Sequence, residues 1–443
     1  MDFTNIFKDY FTFLQFKTIS SNPIFKEEME KCAIWLCNYL QKGGLESEVI
    51  TTSSYPVVFA KTPKVEGAPT FLFYGHYDVQ DIDPLEEWKS DPFDPVVRDG
   101  CVYARGAADN KGQVFYFINA IINWLRLGKN NLNIKICIEG EEESGSCGLE
   151  NSLPLLKEKL FCDYLLVVDC DMLKEDRPAI TLGLRGILPF EIELRGIGQD
   201  LHSGHHGGMA YNPAKALVML LAKLWDKKGR VAIPHFYDDM EKVSRGELRH
   251  YCMEFNQDEY KQNFGIKALE EGACKNPLYA CWFEPTLEIN GIRSGYIKSG
   301  MKTIIPSIAL AKLSCRLVPH QKIEKIKEDI ERFFNKILLP GMEMKINFYG
   351  GGEAIRTKTS SFLIESIIHS YSEVFGRKCE RIMMGGSVPI VLSMYKVLGC
   401  EVAMLGTSIL SDNIHSPNEH FSLDRFKKGY FVILKLLTDF RSS

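Results

Sequence analysis

Apolar residues in the first 41 positions recur at helical spacing. Phe3, Ile6, Phe7, Tyr10, Phe11 and Leu14 share one face, and Met29, Cys32, Ala33, Leu36, Cys37 and Leu40 repeat the pattern. Gly43 and Gly44 stop the second helix. The rhythm then changes to short, strand-like apolar runs at 48–52, 56–60, 70–74, 132–138 and 164–168, with a helical stretch at 113–127 between two of them. Strands alternating with helices predict a sheet with parallel strands, covered on both faces.

Past Gly183 the pattern shifts again. Residues 187–194 alternate like a strand with one wet face. Asn212 and Pro213 supply an N-cap and a first-turn proline for an apolar helix reaching Trp225. The stretch 227–285 is charged, aromatic and irregular, and a strand at 308–318, a helix at 321–338 and a strand at 344–349 follow it. One-sided alternation predicts a smaller antiparallel sheet with helices on one face. The first style resumes near Ser360. The expected fold is thus α/β, a mixed, mostly parallel sheet with helices on both faces. It is split between 1–185 and 351–443, and a smaller α+β domain, 186–350, is inserted.

Composition narrows the function. Lys and Arg number 53 against 57 Asp and Glu, a net charge of −4, and no basic tract of five residues occurs, which argues against a nucleic-acid partner. With 443 residues, 45% hydrophobic and 25% charged, the chain is globular with ample core. Its apolar runs fall short of the ~20 residues of a membrane span, as where Lys223 ends 216–222. The Met1-Asp2-Phe3-Thr4 start lacks the basic and apolar parts of a secretory signal. Thirteen scattered cysteines without a C-x-x-C suit reduced thiols, so a cytoplasmic setting is expected.

Acids and histidines stand just past several predicted strands. The run 70–74 leads into Gly75-His76-Tyr77-Asp78, 132–138 into Glu139-Gly140-Glu141-Glu142-Glu143, 164–168 into Asp169, and 401–405 towards His415. Asp109 sits just before a helix. In an open α/β sheet ligands bind outside the carboxyl ends of the strands, so these residues are expected to converge. Two imidazoles and three or more carboxylates suit zinc or manganese, and suffice for two metals if one carboxylate bridges. Taken singly, each residue is an ordinary cap or surface group, and Glu139–Glu143 an ordinary solvated loop. Recurrence after four separate strands carries the inference.

Rival motifs fail. Lys111 precedes Gly112, the reverse of a phosphate loop, and Leu201 stands where a dinucleotide fingerprint needs glycine. No Gly-x-Ser-x-Gly elbow occurs. Acidic neighbours oppose nucleophilic use of Cys147.

Gly75-His76-Tyr77-Asp78-Val79, Ala104-Arg105-Gly106 with Asp109-Asn110-Lys111-Gly112, Glu139 to Ser146, and His415-Ser416-Pro417-Asn418-Glu419 together resemble the dinuclear zinc exopeptidase family. Its members include carnosinase, cytosolic non-specific dipeptidase, carboxypeptidase G, aminoacylase, acetylornithine deacetylase and succinyl-diaminopimelate desuccinylase. The motifs span nearly the whole chain in order. Asp109-Asn110-Lys111-Gly112, Leu201-His202-Ser203-Gly204 and Arg316-Leu317-Val318-Pro319 resemble the carnosinase-like dipeptidase branch.

The resemblance implies His76 and Asp169 on one metal, Glu143 and His415 on the other, and Asp109 bridging. Glu142 matches the general base and Asp78 the carboxylate that orients His76. Glu141 occupies a position often apolar in relatives, so the register rests on the Ser144-Gly145-Ser146 that follows. A cis peptide after Asp109 is expected. The insert is implied to be a lid and dimerisation domain. From it His202 would reach the partner subunit's active site and stabilise the oxyanion, and Thr303 would contact substrate there. Arg316 would grip the substrate's C-terminal carboxylate, and Gly386 and Ser387 would line the cleft. His205 and His206 are expected to be loop residues. The implied cofactors are two divalent ions per subunit, zinc with manganese or cobalt as alternatives. The implied activity is amide hydrolysis of dipeptides or small peptides with a free C-terminal carboxylate, in a homodimer with no nucleic-acid or membrane partner. Alternatives are deacylation of N-acyl amino acids and a non-enzymatic metal-binding or interaction protein.

Overall fold

The structure is a computed structural model and describes residues 2–128, 131–270, 273 and 275–440. Strand Thr70–His76 shows why the main sheet lies where it does. Phe71 and Phe73 enter one apolar cluster, while Leu72 and Tyr74 enter another on the opposite face. With both faces apolar, the strand is stable only between two layers. Helices Thr4–Leu14, Lys26–Lys42, Lys111–Arg126, Phe362–Phe375 and Leu423–Asp439 supply one layer. Cys147–Leu160 and Pro389–Leu398 supply the other.

Among the described residues the sheet has nine strands. Their order is Glu46–Ile50, Val57–Lys61, Asn133–Glu139, Thr70–His76, Tyr164–Val168, Glu401–Leu405, Ala179–Leu184 and Ile355–Arg356, and Glu380–Met384 also pairs with Ala179–Leu184. The four strands from Asn133–Glu139 to Glu401–Leu405 are parallel, and antiparallel pairs flank them. Their carboxyl ends therefore share one edge.

A second sheet is wholly antiparallel, in the order Thr286–Ser294, Ile308–Leu317, Gly186–Arg195 and Glu343–Phe348. Buried positions alternate strictly along Gly186–Arg195, and that face packs on helices Pro213–Leu221 and Ile323–Ile337. The Asn212 Oδ1 accepts from Ala214 N at 2.9 Å, the expected cap. The helix ends at Leu221 rather than Trp225, because Trp225 forms a bridge with Val231. Strand Thr286–Ser294 was hidden from pattern analysis because only Leu287 in it is buried and a bulge interrupts it between Ile289 and Gly291. Part of the irregular stretch packs elsewhere. Tyr251, Cys252, Trp282 and Phe283 join the first cluster of the large sheet, and Cys252 N donates to Arg381 O at 2.8 Å.

Candidate active site

His76 is the last residue of its strand, and its ring is fully buried. Its Nε2 lies 3.1 Å from Asp109 Oδ1 and 3.7 Å from Asp169 Oδ1. The other Asp109 oxygen, Oδ2, lies 3.0 Å from His415 Nε2, which is 3.3 Å from Glu143 Oε2. Asp109 thus faces one histidine with each oxygen. Two groups result, His76–Asp109–Asp169 and Asp109–Glu143–His415, each with ligand atoms within 4.8 Å of one another.

The supports explain how the acids are held. Asp78 is buried; its Oδ1 accepts from Glu142 N at 3.1 Å and its Oδ2 from Glu143 N at 3.0 Å. His76 Nδ1 lies 3.1 Å from Asp78 O and 3.3 Å from Asp78 Oδ1, which leaves Nε2 facing the acids. Asn110 Nδ2 donates to Asp169 Oδ1 at 2.7 Å, and the Asp109–Asn110 peptide is cis. Glu419 holds the Asp109 loop, accepting from Arg105 Nη1, Gly106 N, Ala108 N and Asp109 N at 2.9–3.0 Å. Gly112 is required below this loop, since a Cβ there would meet Ala107 O at 2.1 Å. Glu141 turns away, accepting from Gly148 N at 2.8 Å where helix Cys147–Leu160 begins.

The donor set fits cations. Burial and the Asp109 charge push the Glu143 carboxyl up to about 7, and burial, with Asp169, Glu143 and Asp109 adding to it against the pull of His76, holds Glu142 well above the usual carboxylate range. Desolvation opposes charge on His415, yet Asp109 and Glu143 lift it to about 11. Among the described residues, the buried Glu143 Oε1 has no hydrogen-bond partner. Acids crowded this closely repel until positive charge enters, and a bridging carboxylate with imidazole and carboxylate on either side suits two divalent ions.

The family model described as Peptidase family M20/M25/M40 matches residues 72–439. The chain belongs to this family. It is 30% identical over 381 residues to the human Beta-Ala-His dipeptidase, covering 84% of this chain and 75% of that one. It is 31% identical over 391 residues to the Cys-Gly metallodipeptidase dug1 of Schizosaccharomyces pombe, covering 84% and 80%. Among solved structures, the M20 family metallo-carboxypeptidase Sso-CP2 from Sulfolobus solfataricus superposes with a TM-score of 0.90 at 31% identity over 99% of each chain. Human carnosine dipeptidase 1 superposes with a TM-score of 0.87 at 27% identity, over 98% of this chain and 95% of that one.

In this M20 chain the remaining residues singled out by sequence fall into two further groups. Arg316 Nη1 donates to Ser387 Oγ at 2.9 Å, and Ser387 Oγ donates to Arg185 O. Arg185 returns bonds from N to Gly386 O at 3.1 Å and from Nε to Gly385 O at 3.0 Å. Arg316, Gly386 and Ser387 are therefore brought together where the smaller sheet meets the larger. His202 lies on strand Leu201–His202, which pairs with Ile304–Ile305, and Thr303 immediately precedes that second strand, with Ser203 N donating to Thr303 O at 3.1 Å. His202 is exposed and belongs to neither metal-type group among the described residues. His205 and His206 depart from the loop expected of them. They form the single helical turn Ser203–His206, with the rings of His202 and His205 4.6 Å apart.

Sequence reasoning missed several supports. Arg105 and Glu419 lay within quoted motifs, four residues before Asp109 and four after His415, but nothing local showed that they meet. Ser20 gave no signal at all in the polar stretch between the first two helices.

Proposed function

We propose that this chain hydrolyses the amide bond of dipeptides or short peptides with a free C-terminal carboxylate. The carrying observation is Asp109, shared between two ligand groups by one oxygen each. The dipeptidases among the relatives support the substrate class. His76 with Asp169 and His415 with Glu143 are the ligand pairs. Zinc suits the mixed imidazole and carboxylate set, with manganese and cobalt as alternatives. Divalent ions in such a pair supply Lewis acidity and a nucleophile at neutral pH.

The chain's own groups do the rest. Glu142 receives the proton of the attacking water on its carboxylate and passes it to the leaving amine. Asp78 keeps His76 in the tautomer that presents Nε2. Arg316 pairs its planar fork with the substrate's C-terminal carboxylate, beside Gly386 and Ser387. Residues 186–350 form the lid and dimerisation domain between the two catalytic segments. Exposed Val218 and Met219 on helix Pro213–Leu221, and exposed Ile289 and Ile292 on edge strand Thr286–Ser294, support pairing with a second copy there. In that homodimer His202 and Thr303 serve the partner's site, His202 steadying the oxyanion. Buried Cys32, Cys137, Cys315 and Cys379 pack as small hydrophobes, which supports the cytoplasmic setting.

Glu142→Gln tests the reading. The variant should bind metal as wild type does and lose hydrolysis by ~100-fold or more, whereas full activity would remove Glu142 as base. A panel of dipeptides against acetyl- and succinyl-amino acids tests the substrate. Faster turnover of the acylated amino acids would make the enzyme a deacylase, and inertness towards both would leave a metal-binding protein.

A further inference from the structure

The family match begins at residue 72, yet the preceding segment is tied directly to the loops that carry the site. Tyr10 Oη donates to Ala107 O at 2.7 Å, and Lys111 Nζ donates to Phe13 O at 3.2 Å and to Phe16 O at 2.7 Å. Thr18 Oγ1 donates to Tyr77 O at 2.7 Å, and Val79 N donates to Thr18 O at 2.9 Å. These ties reach loop backbone or the segment's own carbonyls. Ser20 differs: its Oγ donates at 2.7 Å to the carboxylate of Asp78.

We propose that Ser20 is a positioning residue for the metal centre, acting through Asp78 on His76, Glu142 and Glu143; this rests on the metallopeptidase reading above. Two Asp78 oxygens meet four donors. Oδ1 faces His76 Nδ1 and Glu142 N, and Oδ2 faces Glu143 N and Ser20 Oγ. One carboxylate therefore fixes a ligand imidazole and the backbone bearing both the base and a second ligand. Ser20 is 5% exposed and Asp78 0%, so bulk water does not readily replace the hydroxyl. Without it Oδ2 keeps only Glu143 N, and the carboxylate is free to turn. Any rotation moves Oδ1 relative to His76 and Glu142 together.

The test uses the full chain loaded with zinc. Zinc affinity is measured by competition with a chromogenic chelator, alongside kcat and KM on a dipeptide and thermal unfolding. Ser20→Ala is expected to weaken zinc binding by about 10-fold or more and to lower kcat with KM near wild type. Ser20→Cys, which keeps the bulk with a weaker donor, should fall between Ser20→Ala and wild type. It carries the test should Ser20→Ala fail to fold. Thr18→Val removes a tie of the same segment that ends on backbone; it should lower the melting temperature and leave zinc affinity unchanged. Zinc affinity within about twofold of wild type in the folded Ser20 variants overturns the proposal, as does an equal loss in Thr18→Val. Wild-type protein that binds none of zinc, manganese and cobalt would instead sink the metallopeptidase reading itself.

Discussion

Glu419→Gln is the most searching perturbation of the cage, because one side chain holds the loop that presents Asp109. Glu419 is 1% exposed and so is its partner Arg105. Oε2 accepts from Arg105 Nη1 and Gly106 N, and Oε1 from Ala108 N and Asp109 N. An amide puts an NH2 against one of these donor pairs, whichever way it turns, and strands the guanidinium without its counter-charge. Removing one partner of a buried ion pair costs about 3–5 kcal/mol. For 443 residues the unfolding entropy is about 0.9 kcal/mol per kelvin, so the melting temperature should fall by about 3–5 K.

A second effect is separable from the first. Asp109 N is one of the donors, so the variant should also mis-set Asp109 and weaken zinc by about 10–100-fold. Each tenfold loss removes about 1.4 kcal/mol of ligand stabilisation. Calorimetric unfolding with and without zinc should then show a larger gap between variant and wild type in the loaded samples. Adding Arg105→Met removes the stranded charge and should recover part of the stability. It should not fully recover zinc affinity, since the amide NH2 still faces backbone donors on one side. A Glu419→Gln protein within about 1 K of wild type in both states, with unchanged zinc affinity, would refute the reasoning.

Two further outcomes follow from the charges. In metal-free protein, burial lifts Glu143 from 4.5 to about 7 and Glu139 from 4.5 to about 8, while Asp109 and Glu143 raise His415 from 6.5 to about 11 against desolvation. All three hold protons more tightly folded than unfolded. Their stabilisation is therefore complete below the unfolded values and is lost as pH rises through the folded ones. Chelated protein should melt lower near pH 8 than near pH 5, and zinc, which takes the place of protons on Glu143 and His415 but not on Glu139, should reduce that slope; metal-free melting temperatures that climb over the interval would contradict it. Arg316→Met should cost about 10–100-fold in kcat/KM, mainly through KM, by removing charged hydrogen bonds to the substrate carboxylate. C-terminally amidated dipeptides should be turned over alike by variant and wild type, and a preserved preference for the free acid would reassign Arg316.

How far the chain could be read follows from where each residue's reason lies. Phe71, Phe73, Leu72 and Tyr74 declare a two-faced strand because their reason is local burial, and the parallel sheet follows. Helix Cys147–Leu160 hides because Pro154 and four charged residues blur its period, and its start is held by Glu141 from outside the helix. The convergence of these acids and histidines was legible for a chemical reason, since a cation accepts few donor types and parallel strands end on one edge. Apart from Asp78, their supports were not. Ser20 meets Asp78 across 58 residues and Glu419 meets Asp109 across 310, and a hydroxyl or a carboxylate is one of many groups able to make such a bond.

That asymmetry has a structural consequence. Each of two buried acids meets four donors: Asp78 beneath His76 and the Glu142–Glu143 turn, and Glu419 beneath Asp109. Asp169 hangs from Asn110, the residue next to the bridge. His415 comes from a loop anchored before it by the buried Asp412–Arg425 pair and after it by Glu419, and its own backbone sits in the left-handed region at φ 63°. The three carboxylates of the two candidate ligand groups thus take their directions from residues outside those groups. A cage built this way keeps its shape against its own repulsion, so ion loss should loosen the His415 loop before it disturbs Asp109.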